Sequence, residues 1–121
     1  MTNQSNRAPH ETMNEPLALL LDDNLMSASR VAAQLERAGF RVQIARAVPA
    51  TVDAQLILLN LGSRGLNPVE LIGVCRAQLP DARLVGFCGH LEIEIRRAAK
   101  AAGIKRILTN DEALSDLANS L

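Results

Sequence analysis

Residues 17–24 read LALLLDDN, five aliphatic residues running directly into two aspartates and an asparagine. A short apolar run with no polar face suits a strand buried on both sides, as in the interior of a parallel sheet. Helical periodicity begins straight after it, at Leu25. Asp22 and Asp23 are therefore expected at the strand's carboxyl end, where open α/β sheets place their ligands. Adjacent carboxylates repel and resist dehydration, so they are solvated, hydrogen-bonded or neutralised by a cation. Two readings follow: a pocket for Mg²⁺ or phosphate chemistry, or a helix N-cap at Asp23 or Asn24 with a solvated neighbour.

Outward from this stretch, strands and helices alternate. Residues 1–16 are polar, hold two prolines and show no period, which reads as a disordered tail in which His10 is inert. Over 25–38 the apolar positions Leu25, Ala28, Val31, Ala32, Leu35 and Ala38 recur at helical spacing, and Gly39 stands where a helix C′ residue is expected. Phe40 is expected to pack back on the core, and 41–46 alternates as a second strand with Val42 and Ile44 on one side. Only 47–53 separates it from the buried run QLILLNL at 55–61, so the helix between them is short or absent. That run ends on Asn60.

After a loop at 62–65, Asn67, Pro68 and Glu70 supply an N-cap, a first-turn proline and an acidic third residue. The helix they open carries Leu71, Ile72, Cys75 and Leu79, with Cys75 a small core residue, and Pro80 stops it. A strand over 82–88 leads to Gly89 and His90. The helix over 91–102 packs Ile95, Ala98, Ala99 and Ala102, exposes Glu92, Glu94, Arg96, Arg97 and Lys100, and is capped by Gly103. A fifth strand at 104–108 and a capping box at 109–112 precede a last helix with Leu114, Leu117, Ala118 and Leu121 on one side. Alternation of this kind predicts an α/β domain over 17–121 with a parallel sheet.

Composition narrows the function. Two Phe and no Trp or Tyr argue against stacking platforms for single-stranded nucleic acid or sugars. Thirteen basic and thirteen acidic residues cancel, so neither nucleic acid nor an anionic membrane is an expected partner. No stretch approaches a membrane span or a signal-peptide core. Cys75 and Cys88 fit reduced thiols in a soluble, cytoplasmic protein.

With this order of elements, residues 17–121 resemble a response-regulator receiver domain, the flavodoxin-like phosphoacceptor module of two-component signalling. The resemblance rests on Asp22-Asp23 after strand one, LILLNL in strand three and the GIKRILTN turn into strand five. It implies a five-stranded parallel sheet in the order 2-1-3-4-5, helices on both faces, and a site at the carboxyl ends of strands one, three, four and five. Asp22 and Asp23 match the family's Mg²⁺-binding pair. Asn60 stands where the family has its phosphoacceptor aspartate, Cys88 where it has Ser or Thr, Asn110 where it has a phosphate-pairing lysine, and Ile107 where it has the switch Tyr or Phe.

The resemblance thus implies a degenerate receiver, or pseudo-receiver. An amide offers no anionic nucleophile for in-line attack on phosphorus. Losing one of three negative charges leaves weak Mg²⁺ binding at most. Asn110 supplies no cation and a thiol substitutes poorly for a hydroxyl. Without the lysine, one of the aspartates is expected to titrate high or stay solvated, with the two asparagines forming a neutral hydrogen-bond network. The expected role is phosphorylation-independent interaction with a protein partner in a phosphorelay-type pathway, not enzymatic. The family's dimerisation and output face corresponds to Glu92, Glu94, Arg96, Arg97, Lys100, Lys105 and Arg106, and a homodimer would form there. The plainer reading of that face is a solvated helix with i,i+4 pairs.

Two alternatives compete. Asp22, Asp23, Cys88 and His90 contain ligand types that zinc accepts, so a metal site or enzyme at that end of the sheet is one. Phosphorylation at a non-standard residue, His90 or an aspartate of the pair, is the other. A flavin is disfavoured by the lack of a glycine-rich loop after strand one and of an aromatic to stack on the ring.

Overall fold

The computed structural model describes residues 15–121; the expected tail, including His10, lies almost wholly outside them. The elements run β1 (Leu17–Leu21), α1 (Leu25–Arg37), β2 (Arg41–Ala45), β3 (Leu56–Asn60), α2 (Pro68–Gln78), β4 (Arg83–Cys88), α3 (Ile93–Ala101), β5 (Arg106–Thr109), α4 (Asn110–Ser115) and α5 (Leu117–Ser120). All neighbouring strands pair in parallel, in the order β2-β1-β3-β4-β5. The flavodoxin-like order is thus the observed one.

Strand alternation sorts the core into two layers. Ala18 and Leu20 of β1, Leu56 and Leu58 of β3, and Val85 and Phe87 of β4 meet Ala28, Val31 and Leu35 of α1 and Ala113 and Leu117 from the end of the chain. Their neighbours Leu19, Leu21, Ile57, Leu59 and Cys88 pack on the opposite face against Leu71, Ile72 and Cys75 of α2 and Ala99 of α3. Residues 46–55 form no helix, and Val48, Val52 and Ala54 from that connection cover the second face where a crossover helix would lie. Gly86 in β4 leaves room for the second layer: a Cβ there would sit 2.7 Å from Leu61 Cδ1 and 2.9 Å from Ile104 Cδ1.

Several boundaries differ from expectation. Leu25, counted on the apolar stripe of α1, is 80% exposed, because the first helical turn projects past the end of the sheet. α3 begins at Ile93 rather than 91, leaving Leu91 exposed, and Ala98 faces solvent while Ala99 and Ile95 pack inward. β5 starts at Arg106, with Ile104 a buried residue ahead of it. The final helix is interrupted at Asp116, whose φ of −144° and ψ of 35° lie outside the helical region, and Ala118 is exposed. Gly39, at φ 98°, follows the α1 C-cap as the sequence implies. Among the described residues no helix is long and apolar enough to cross a membrane.

Candidate functional site

The carboxyl ends of β1 and β3 bring Asp22, Asp23 and Asn60 together, and the chemistry there is a hydrogen-bond network. Asp22 is 3% exposed, a position that is costly for a carboxylate without donors. It has them. Oδ2 accepts the Ser27 hydroxyl at 2.6 Å, and Oδ1 accepts the Asn24 N–H at 2.9 Å and Asn60 Nδ2 at 3.0 Å. Ser63 Oγ lies 3.4 Å from Asp22 Oδ1 but 2.7 Å from Asp23 Oδ1. A hydroxyl has one proton, and the shorter contact takes it.

Asp23 is half-buried, and its second oxygen accepts the Gly65 N–H at 2.7 Å. The Ser63 hydrogen bond is the main reason its carboxyl is held below the usual aspartate value. Burial opposes this, while the Gly65 and Asp23 amides and the Arg46 guanidinium assist. Asp23 is therefore not a member that titrates high: hydroxyl and amide donors, with a nearby arginine, offset its charge. Asn24 is the N-cap of α1, accepting the Met26 and Ser27 amides at 3.0 and 3.4 Å. Capping and a built carboxylate site thus coexist.

Asn60 uses both ends of its amide. Nδ2 donates to Asp22, and Oδ1 accepts the Gly62 N–H at 3.0 Å, which fixes which end is which. Asn110 takes no part: it is exposed at the start of α4, after Thr109 has ended β5 and closed the capping box with Glu112. Ser27 and Ser63 fill the polar roles expected of the second asparagine.

The remaining sequence-derived residues scatter. Cys88 is 1% exposed and packs in the second core layer, where burial pushes its thiol above the ordinary value. His90 is exposed, and among the described residues no three His, Cys, Asp or Glu side chains converge as a metal site. Asp22, Asp23, Cys88 and His90 are thus not gathered into one ligand set among the described residues. Ile107 is partly buried against the second layer.

Glu92 and Arg96, expected on the open face of the helix, are half-buried. Glu92 Oε2 accepts the Gly89 N–H at 2.8 Å and lies over Gly62, 3.4 Å from where its Cβ would be. Arg96 Nε is buried without a hydrogen-bond partner. The exposed part of that face keeps Glu94, Arg97 and Lys100, with a 3.8 Å Glu94–Arg97 pair, an exposed i,i+3 contact of small energetic weight. Lys105 and Arg106 line a cavity with Arg76 and Arg83 instead.

An open hollow of about 650 Å³ lies above the network, bordered by Asp23, Asn60, Ser63, Arg64, Leu25 and Met26. Mg²⁺ takes one or two carboxylates and completes its octahedron with water, and here it would compete with donors already in place. Asp22 is withdrawn beneath its donors, and both oxygens of Asp23, the carboxylate that borders the hollow, already accept hydrogen bonds. Around this end the apolar side chains of Leu25, Met26, Val69, Leu91 and Ile93 stand exposed.

No protein-family model matches the chain. A curated relative, the photosynthetic apparatus regulatory protein RegA of Rhodobacter capsulatus, is 28% identical over 109 residues, covering 85% of this chain and 59% of that protein. The chain therefore spans well under two thirds of that relative's length. A response regulator of Burkholderia pseudomallei, solved with a phosphorylated aspartic acid, calcium and citrate, superposes with a TM-score of 0.70 at 24% identity, over 87% of this chain and 69% of that one. A chemotaxis response regulator of Vibrio cholerae gives 0.70 at 17% identity, over 89% and 100%. A response regulator of Thermotoga maritima gives 0.69 at 18%, over 87% and 92%. Sheet order, element sequence and these superpositions identify the fold as that of the response-regulator receiver domain.

Proposed function

We propose that the chain is a receiver-fold module of bacterial signal transduction that acts by contact with a protein partner and without aspartyl phosphorylation. The observation that carries the reading is Asn60. Its amide occupies the carboxyl end of β3 beside Asp22, donates to that carboxylate and accepts from Gly62. An amide in that place has no anionic oxygen to attack phosphorus. The nearby acids are held by hydrogen bonds from Ser27, Ser63, Asn24 and Gly65.

Interaction is supported by surface. Leu25 and Met26 are 80% and 81% exposed, and Leu91 follows at 78%. Large apolar groups held in water around one end of a sheet favour a covering partner. The charged side chains Glu94, Arg97 and Lys100 on α3 would orient such a partner more than hold it.

Intact mass after incubation with Mg²⁺ and acetyl phosphate tests the reading. The expected result is an unchanged mass. A base-labile adduct on Asp22 or Asp23 would overturn it, and an acid-labile, base-stable adduct would move the chemistry to a histidine, with His90 ahead of His10.

A further inference from the structure

We propose that the opposite, amino-terminal end of the sheet binds a small phosphate-bearing anion of about nucleotide size. A cavity of about 430 Å³ opens there, where the last turns of α2 and the residues following α3 meet the starts of β4 and β5. Arg76, Arg83, Lys105 and Arg106 line it, and no Asp or Glu does. The chain as a whole has thirteen basic and thirteen acidic residues, so a cavity bordered by Arg76, Arg83 and Lys105 with no Asp or Glu segregates charge. Such a single-sign cleft over low-dielectric walls focuses its field on an incoming anion.

One of the cations is pre-positioned: Arg76 Nη1 donates to the Gly103 carbonyl at 3.0 Å, at the carboxyl end of α3. Arg106 Nη2 donates at 2.7 Å to the Ser120 carbonyl, on the face of the sheet that carries Leu108 and Leu117, so its guanidinium is turned away from the cavity. The Arg76 acceptor is a neutral carbonyl with only the partial charge of a helix end, and no carboxylate neutralises the guanidinium. The Arg76 guanidinium rests where Gly103 has no side chain: a Cβ at that residue, whose φ is 109°, would lie 3.2 Å from Nη1. Arg83 and Lys105 are exposed, and neither they nor the two anchored arginines form an ion pair among the described residues. Asp81 borders a neighbouring hollow with Asp53 and does not line this one.

The chemistry narrows the ligand. Guanidinium forks match phosphate oxygens in paired hydrogen bonds, and their flat faces accept a planar group. Leu79, Pro80 and Leu84, which keep some exposure, provide an apolar border for the uncharged part of a ligand, over a floor of buried Ile57, Ile104 and Cys75. Burial lifts the Cys75 thiol to about 11, so that floor is neutral. The volume falls within the usual range for small-molecule sites, roughly 300–1,000 Å³. A nucleic-acid backbone fits less well. It would have to continue past the cavity, and the adjoining hollow presents Asp53 and Asp81.

Isothermal titration of the intact chain with inorganic pyrophosphate and with ATP, at low salt and without divalent metal, tests the site. Amide chemical-shift mapping would run in parallel. The expected result is saturable one-to-one binding, with shifts at Leu84, Gly103 and Ile104. The double variant R83A/K105A should bind at least about tenfold more weakly, two charged contacts being lost. Neither side chain makes an internal hydrogen bond or ion pair, so the fold should be kept, and the same amide spectrum checks it. Absence of saturable binding to both probes, equal affinity in the variant, or shifts centred on Asp23 and Ser63 would overturn the proposal. So would a DNA duplex that binds more tightly than either probe with a steep salt dependence.

Discussion

Replacing Asn60 by aspartate isolates the question of why the site is uncharged at this position. One half of the change is benign, because Asn60 Oδ1 already accepts from Gly62 and a carboxylate oxygen can do the same. The other half puts an anionic oxygen where Nδ2 now donates, 3.0 Å from Asp22 Oδ1. Two unit charges at that distance repel by about 5 kcal/mol at an effective dielectric near 20, and by about 1.4 kcal/mol if fully screened. Asp22 is 3% exposed, so the larger figure is nearer the starting geometry. The lost hydrogen bond to a charged acceptor removes about 1.5–3 kcal/mol more. Allowing the two carboxylates to move apart, N60D should lose about 3–5 kcal/mol of stability, a large share of what a domain has.

Urea denaturation in EDTA measures this directly. Titrating Mg²⁺ should then recover part of the loss, because three acids in place of two give a cation something to bind. Occupancy at ten times the dissociation constant returns about 1.4 kcal/mol. The natural chain should show the same midpoint with and without Mg²⁺. A variant as stable as the natural chain in EDTA would refute the reasoning, since the Asn60–Asp22 contact would then carry no energetic weight. A natural chain stabilised by Mg²⁺ would refute the statement that the internal donors outcompete the ion at the acidic pair.

Other outcomes follow from single contacts. Ser63→Ala removes the main cause of the depressed Asp23 carboxyl, so Asp23 should titrate higher in a carbon-detected NMR titration. A depressed folded value gives stability that is present above the unfolded value, 3.8, and is lost as pH falls through the folded one. The acid unfolding midpoint of S63A should accordingly move up, and an unmoved Asp23 titration would count against the assignment. Cys75 has the opposite sign: its thiol is raised from 9.0 to about 11, so stability should fall between those pH values as the unfolded chain ionises first, and C75A should flatten that limb. Gly86→Ala forces a methyl onto Leu61 and Ile104 and should cost about 1–3 kcal/mol in urea unfolding. Thr109→Ala breaks the capping box with Glu112 and should cost about 1 kcal/mol.

The sheet was legible because β1 and β3 are runs with no polar face, which few structures other than an interior parallel strand accommodate. Residues 47–53 were too few for a crossover helix, and the connection is a loop. Helix ends were less legible. Periodicity places Leu25 on the stripe of α1, but it cannot tell that the first turn stands beyond the sheet with no layer to pack on. The acidic pair and Asn60 were visible from their places at strand ends. Their partners were not: Ser27 is the third residue of α1, and Ser63 is 40 residues from Asp23. Ser27 had a weak signal, since polar side chains in a first turn reach back toward the cap. Ser63 and Gly65 had none, because only β1–β3 pairing brings their loop beside Asp23. Glu92 is not the surface charge its spacing suggests, because the helix starts at Ile93, two residues later than expected, leaving its carboxylate free to close onto Gly89.

The serines change what the site can do. In a receiver whose acids await a metal, the carboxyl ends of the strands have an unmet need for positive charge. Here that need is met from within: β1, α1, β3 and the loop after β3 are tied together by Asp22 and Asp23 through Ser27, Asn24, Asn60, Ser63 and Gly65. A ligand that shifts an equilibrium must bind one state better than the other, and a cation arriving at this network would first have to break hydrogen bonds that already hold the acids. On the proposed reading, the surface bearing Leu25, Met26 and Leu91 is therefore held in one arrangement, and control passes to whatever regulates access to the partner.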